Sequence, residues 1–127
     1  MFNRGHWCPY CVAQLKSFQG GLGQLAAEGI GVIAASADDI DHARETKART
    51  GATFPIGSGL PVIETADTIG AFYDPAPSWT SPYIQSTGFL LGPDGRVAMS
   101  VYSSGAIGRL VWQDVLGLVR YLKKPHG

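Results

Sequence analysis

At 127 residues the chain fits one domain spanning 1–127, large enough for a real core. Lys plus Arg and Asp plus Glu both number 10, so the formal net charge is zero, which argues against a nucleic-acid groove or a membrane-surface patch. The longest apolar stretch, residues 30–37, is too short to span a bilayer. Met1 to Trp7 lacks the apolar run of a signal peptide, so a cytoplasmic location is expected.

The first element begins at the two cysteines, Cys8-Pro9-Tyr10-Cys11 after Trp7, which are the only cysteines in the chain. Proline favours the first helical position, where its missing N–H would have no partner anyway. Cys8 is then the N-cap and Cys11 the third helical residue. The free N–H groups and positive dipole end of the first turn stabilise a thiolate there, below the free value of about 8.5. A thiolate beside a second thiol is what disulfide exchange and peroxide reduction both require. Zinc binding and a structural disulfide are the alternatives. Zinc usually takes four ligands, and the chain adds only His6, His42 and His126 to the two thiols. A structural disulfide would close a very small loop and stabilise little.

The helix is expected from Pro9 to about Glu28, with Val12, Leu15, Phe18, Leu22 and Leu25 on one apolar face. Gly20, Gly21 and Gly23 are expected to kink or break it, and Gly29 to cap it. Ile30 to Ala35 reads as a buried strand of a parallel sheet, and Ser36 to Asp39 as a turn capping a helix over Ile40 to Thr50 that stops near Gly51. The charges of that helix suit a solvated face, so Asp38, Asp39, Asp41 and His42 receive no catalytic role. Phe54-Pro55-Ile56 is extended, and a third helix covers Val62 to Phe72. Asp74 to Gln85, with Pro75, Pro77 and Pro82, reads as a loop. Its Trp79 and Tyr83 are expected to pack, or to wall a substrate. Thr87 to Leu91 and Arg96 to Tyr102 form a hairpin around Gly92-Pro93-Asp94-Gly95. Ser103 to Gly108 is a loop. The last helix, near Leu110 to Leu122, is expected to bury Val111, Val115, Leu118, Val119 and Leu122. This order implies an α/β fold with a mixed sheet covered on both faces.

The element order and motif together resemble the thioredoxin-like fold. More narrowly, they resemble the redoxin branch, the peroxiredoxin-like proteins of the alkyl hydroperoxide reductase and thiol-specific antioxidant family. The residues that carry the resemblance are Arg4-Gly5-His6-Trp7-Cys8-Pro9-Tyr10-Cys11, Gln14-Leu15, Phe54-Pro55, Phe89 to Gly95 and Ser103 to Leu110. It implies a three-layer α/β/α domain with a mixed central sheet. It also implies an oxidoreductase that uses Cys8 and Cys11 and needs no cofactor or metal. The substrate would be a peroxide or a disulfide, the reductant an external thiol, and a homodimer one assembly. In a thioredoxin-type enzyme Cys8 attacks and Cys11 resolves. In a peroxiredoxin the attacking sulfur is Cys11, and Cys8 takes the place of a Thr or Ser. A redox-sensing module without turnover is the non-enzymatic alternative. Trp7, Pro9, Tyr10, Thr87 and Arg109 are the supporting or substrate-lining candidates.

The chain departs from the family pattern at three places. Arg4 stands where peroxiredoxins have a proline. Ser86 stands where they have an arginine that holds the thiolate, and no basic residue is near it in sequence. Of the central strand leading into the motif, only Met1-Phe2-Asn3 is present. An N-terminally truncated strand, or a sheet completed by another chain, is therefore expected.

Overall fold

The computed structural model describes residues 1–125; His126 lies outside the described residues. Helix α1 (Pro9–Ala27) starts where the proline predicts, with Cys8 extended at the N-cap. The Val12 N–H donates to the Cys8 carbonyl at 3.1 Å, the first bond of the helix. Val12, Leu15, Phe18 and Leu25 are buried, and Leu22 packs against the same core. The expected break does not occur, and the helix runs through all three glycines. Gly21 instead permits a close approach, since a β-carbon there would overlap the Trp112 ring of the last helix. Gly20 has only open space around it.

Strand β1 (Ala34–Ala35) pairs in parallel with β2 (Ile56–Gly57). It is shorter than the expected Ile30 to Ala35, although Ile30 and Val32 still pack on the core. Between the two strands lies α2 (Ile40–Thr50), capped by the Asp39 side chain and closed by Gly51 in the left-handed region. Helix α3 (Val62–Ile69) ends before Phe72 because Gly70, at φ 77°, turns the chain out of the helix. The stretch expected as a loop contains a short antiparallel ladder of β3 (Tyr73–Asp74) and β4 (Tyr83–Ile84). Its prolines fall in the connection and at the ladder's edge, where their missing N–H removes no ladder bond.

The hairpin forms as expected from β5 (Thr87–Leu91) and β6 (Val97–Tyr102), with an irregularity at Leu90/Leu91. Helix α4 (Trp112–Lys123) starts at Trp112 rather than Leu110. Its inward face is accordingly Trp112, Val115, Leu116 and Val119, while Val111 and Leu122 are exposed.

Phe2 joins the two halves of the sheet, bridging Ala35 in parallel and Thr87 in antiparallel fashion. Asn3 N–H donates to the Ala35 carbonyl (2.8 Å), Ala35 N–H to the Met1 carbonyl (2.9 Å), and Phe2 N–H to the Thr87 carbonyl (2.7 Å). Met1-Phe2-Asn3 thus occupies the centre of a mixed sheet ordered β2, β1, Phe2, β5, β6.

Side-chain alternation then sorts the helices into layers. Leu90, Met99 and Val101 point into the core shared with α1 and α4, and α1 packs on both α2 and α4. Phe2, Phe89 and Tyr102 meet edge-to-face on the opposite side. There the Tyr102 hydroxyl donates to the Ile69 carbonyl at the end of α3, 2.6 Å away. The fold is therefore the three-layer α/β/α arrangement. No helix among the described residues is long and apolar enough to cross a membrane.

The contrast between neighbouring glycines is testable. Gly20→Ala should stabilise the protein by up to about 1 kcal/mol, through helix propensity at an open site. Gly21→Ala should destabilise it by roughly 1–3 kcal/mol, through overpacking against Trp112. Urea unfolding of the two variants measures both, and equal effects would contradict the packing described.

Candidate active site

The site is assembled at the N-terminus of α1 from four pieces of chain. The first is the helix itself. Cys8, at the N-cap, accepts a hydrogen bond from the Cys11 N–H at 3.3 Å. One helical turn brings the two sulfurs together, and both residues are buried, Cys8 at 0% and Cys11 at 1% exposure. They are free thiols.

The second piece is the loop before β5 and the ladder that precedes it. Trp7 packs edge-to-face on Trp79 (4.5 Å between ring centroids) and on Tyr83 (4.9 Å). The aromatics expected either to pack or to wall a substrate therefore form one cluster beside the cysteines, with Tyr83 buried and Trp79 exposed.

The third piece is the loop after β6. Buried Ser103 ties this loop to the β5 side, its N–H donating to the Ser86 carbonyl at 3.0 Å, and its hydroxyl meets the Ile107 carbonyl. Gly108, at φ 83°, makes the turn that precedes Arg109. The Arg109 side chain is held by Nε to the Ala106 carbonyl (2.8 Å) and Nη1 to Gln14 Oε1 (3.0 Å). Gln14 is fixed in turn by donating to the Leu110 carbonyl (3.0 Å). Arg109 Nη2 reaches both sulfurs, Cys11 at 3.1 Å and Cys8 at 3.4 Å.

The fourth piece, residues 4–7, contributes a residue that sequence reasoning did not select. The Arg4 backbone N–H donates to Cys11 Sγ at 3.3 Å. Its guanidinium donates to Gln85 Oε1 (2.9 Å), to the Tyr83 hydroxyl (3.2 Å) and, over a longer 3.8 Å, to Cys8 Sγ. It lies about 5 Å from the Trp7 and Tyr83 ring centroids, at 5.1 and 5.0 Å. The basic group missing near Ser86 in sequence is thus present in space beside Gln85. The signal was an arginine four residues before Cys8, which can be placed only once the loop geometry is known.

The remaining candidates divide. Pro9 starts the helix. Tyr10 is exposed and lines a groove of about 240 Å³ with Ala13, Phe18, Arg109, Leu110 and Val111. Thr87 is turned to another task, with its hydroxyl donating to the Gln85 carbonyl (3.1 Å) and its backbone pairing with Phe2. His6 pairs with Asp38 (2.9 Å) and stacks flat on His42 (3.7 Å), which pairs with Asp39 (3.0 Å). These contacts tie the motif loop to the start of α2. No cluster of three or more His, Cys, Asp or Glu side chains is placed to hold a metal ion among the described residues.

The electrostatics separate the two sulfurs. The hydrogen bond from the Cys11 thiol lowers the Cys8 thiol to about 5, against the opposing effect of burial, with help from the Cys11 N–H, Arg4 and Arg109. Cys11 is pushed up by that same hydrogen bond and by burial, although Arg109 pulls the other way. Of the two sulfurs, Cys8 is thus the one at which a thiolate is favoured.

A helix-start cysteine pair on a three-layer α/β/α domain with a mixed sheet defines a thiol protein of the thioredoxin-like class. A family model described as the AhpC/TSA family matches residues 1–100, and the chain belongs to that family. Several solved structures share the fold at low sequence identity. Reduced Prx3 of Vibrio vulnificus in complex with hydrogen peroxide has a TM-score of 0.81 at 12% identity, over 98% of this chain and 78% of that one. Mycobacterium tuberculosis AhpC has a TM-score of 0.74 at 15% identity, over 97% and 67%. A mutant of peroxiredoxin 6 from Arenicola marina has a TM-score of 0.71 at 20% identity, over 96% of this chain. The chain spans 59% of the Arenicola protein's length. No curated protein is found to be similar.

Because the Cys8 charge appears as pH rises, the reduced protein should gain ultraviolet thiolate absorbance with a first midpoint near 5 and lose it below. Arg109→Met should move that midpoint upward. A wild-type first midpoint at or above about 8.5, the free-thiol value, would contradict the arrangement.

Proposed function

We propose that this chain is a thiol-dependent peroxidase that works through a Cys8–Cys11 dithiol–disulfide cycle. The observation that carries this reading is the joint approach of Arg109 and a helix N-cap to a pair of buried sulfurs. The Cys8 thiolate attacks the terminal oxygen of a peroxide ROOH. An S–O bond forms, the O–O bond breaks, and RO⁻ leaves to take a proton from solvent as ROH. Cys8 is now a sulfenic acid. The Cys11 sulfur attacks Cys8 and releases water, and its proton leaves with the departing hydroxyl. Two equivalents of an external thiol, or one dithiol, then reduce the disulfide and are themselves oxidised to a disulfide.

Burial weighs on the choice of oxidant. Neither cysteine offers an appreciable surface. A peroxide needs only a small opening beside the Trp7 cluster or the Arg109 groove, whereas a protein disulfide must bring its own backbone up to the sulfur. That supports peroxide over a protein disulfide. The low Cys8 thiol favours a second reading, reduction of small disulfides by the same nucleophile. Cytosolic residence suits a chain whose cysteines must be returned to thiols after each turnover.

Stopped-flow oxidation by hydrogen peroxide tests the assignment. Cys8→Ser should lose rapid oxidation by at least about a thousandfold, as expected for removal of a nucleophile. Cys11→Ser should oxidise rapidly and stop at the sulfenic acid, which a dimedone-type reagent traps. Rapid oxidation that survives in Cys8→Ser and is lost in Cys11→Ser would assign the attack to Cys11. Slow oxidation of the wild-type protein would remove the peroxidase reading.

A further inference from the structure

Arg4 and Arg109 approach the cysteine pair from different loops, and among the described residues neither has a carboxylate partner at ion-pair distance. The other partners of the Arg4 guanidinium are all neutral: an amide oxygen, a phenol and two ring faces. A partly buried cation held only by neutral groups lacks a counter-charge. The nearest group able to supply one is Cys8 Sγ, on Nη1.

The two arginines are not equivalent. Arg109 Nη2 is shared between both sulfurs, so it favours a thiolate at either. The Arg4 side chain touches only Cys8, and at Cys11 it is the Arg4 backbone N–H that donates. Replacing the side chain therefore removes a cation from one sulfur and leaves the other sulfur's contacts in place. Gln85, Tyr83 and Trp7 fix the plane of the guanidinium, so its charge is preorganised rather than drawn in from solvent.

We propose that Arg4 is a second catalytic cation of this site: it makes Cys8 rather than Cys11 the charged sulfur, and it stabilises the oxygen that leaves when Cys8 is oxidised. The second half of this statement rests on the peroxidase reading above. With two guanidiniums and one thiolate, the site holds one positive charge in excess. As Cys8 forms its S–O bond, the sulfur loses its negative charge and the departing RO⁻ gains it. The same two cations then face the new anion until it takes a proton from solvent.

The test uses the full chain carrying Cys11→Ser, so that only Cys8 reports, with Arg4, Arg4→Lys or Arg4→Gln. Three quantities are measured: the pH midpoint of thiolate absorbance, the rate of oxidation by hydrogen peroxide, and the rate of alkylation by iodoacetamide. Both rates are taken at a pH above every midpoint. Arg4→Gln should raise the midpoint by about one unit, equivalent to about tenfold less thiolate at a pH below both midpoints. Fully ionised, it should still alkylate at least as fast as the parent, because its sulfur is less covered. Its oxidation by peroxide should be at least about tenfold slower, the loss expected when a preorganised donor is withdrawn from a developing oxyanion. Arg4→Lys should recover part of both effects.

An unchanged midpoint with an unchanged peroxide rate would overturn the proposal and leave the peroxidase reading intact. If the Arg4-containing parent itself oxidises slowly, the peroxidase reading and the leaving-oxygen role fail together. The midpoint then decides whether Arg4 selects Cys8. Equal slowing of alkylation and oxidation would mark a merely structural role and also overturn the catalytic assignment. If Arg4→Gln does not fold, Arg4→Lys, which keeps the charge but loses the fork, answers through the same three measurements, and parental values in it overturn the proposal.

Discussion

For Cys8 to act as proposed, the molecule has to hold a negative charge on a sulfur that is buried from water. Burial alone drives a thiol toward its neutral form, so an anionic Cys8 can exist only if the protein supplies what water would have supplied. Four kinds of donor do so: the Cys11 N–H at the helix start, the Cys11 thiol, Arg109 and Arg4. The first two come from Cys11, in the turn that carries Cys8, and the last two come from outside that turn. The charge therefore depends on tertiary structure. Helix geometry fixes the two Cys11 donors within a few residues of sequence. The others require residues 4 and 109, which are distant in sequence, to be delivered to within about 4 Å of one atom.

The sheet performs that delivery. Met1-Phe2-Asn3 lies between β1 and β5 and leads directly into the Arg4 loop, so backbone hydrogen bonds to both neighbouring strands fix the loop's starting point. The β5 side brings Gln85 and, through β4, Tyr83, which hold the Arg4 guanidinium. Beyond β6, the Ser103 loop is pinned to Ser86, and Gly108 turns the chain back toward α1 to present Arg109. Gln14 closes the circuit, because it bonds Arg109 and the Leu110 carbonyl from within the same helix that carries the cysteines. A shift of α1 against the sheet would alter the distances from the two sulfurs and Gln14 to the arginines. The packing of Gly21 on Trp112 and of Leu15, Phe18 and Leu25 in the core thus bears on the chemistry.

The features legible in the sequence were those with local causes. Pro9 set the start of α1, Gly51 ended α2, and the Gly92-Pro93-Asp94-Gly95 turn announced the hairpin. The structure departs from the sequence pattern where distant contacts decide the outcome. The glycines of α1 read as a break because propensity is a local quantity, whereas the Trp112 ring that uses Gly21 lies on another helix. The proline-rich segment read as a loop because its ladder has only two residues on each side, too few for alternation to register. In α4 the apolar periodicity runs through Val111 and Leu122, but Val111 is extended at the N-cap, so the helix starts at Trp112 and turns Leu116 inward. At the site, the cysteines and Arg109 could be named from the sequence. Thr87, the first residue of β5, is a substrate-lining candidate in the sequence, yet its hydroxyl serves the Gln85 carbonyl.

Arg4 explains why a departure from a family pattern need not be a departure from its physics. A guanidinium acts on a sulfur through distance and orientation, and the field it exerts carries no record of which loop supplied it. Position 86, where the pattern calls for an arginine, holds a buried serine whose carbonyl is engaged by Ser103. Position 4, where the pattern calls for a proline, holds the arginine. Proline there would have no N–H to give Cys11, so the exchange adds a backbone donor to one sulfur and a cation to the other. On the proposed assignment, a single position thereby distinguishes two sulfurs that Arg109 contacts at similar distances. The division of labour proposed for the cysteines follows from the loop before the motif as much as from the spacing within it.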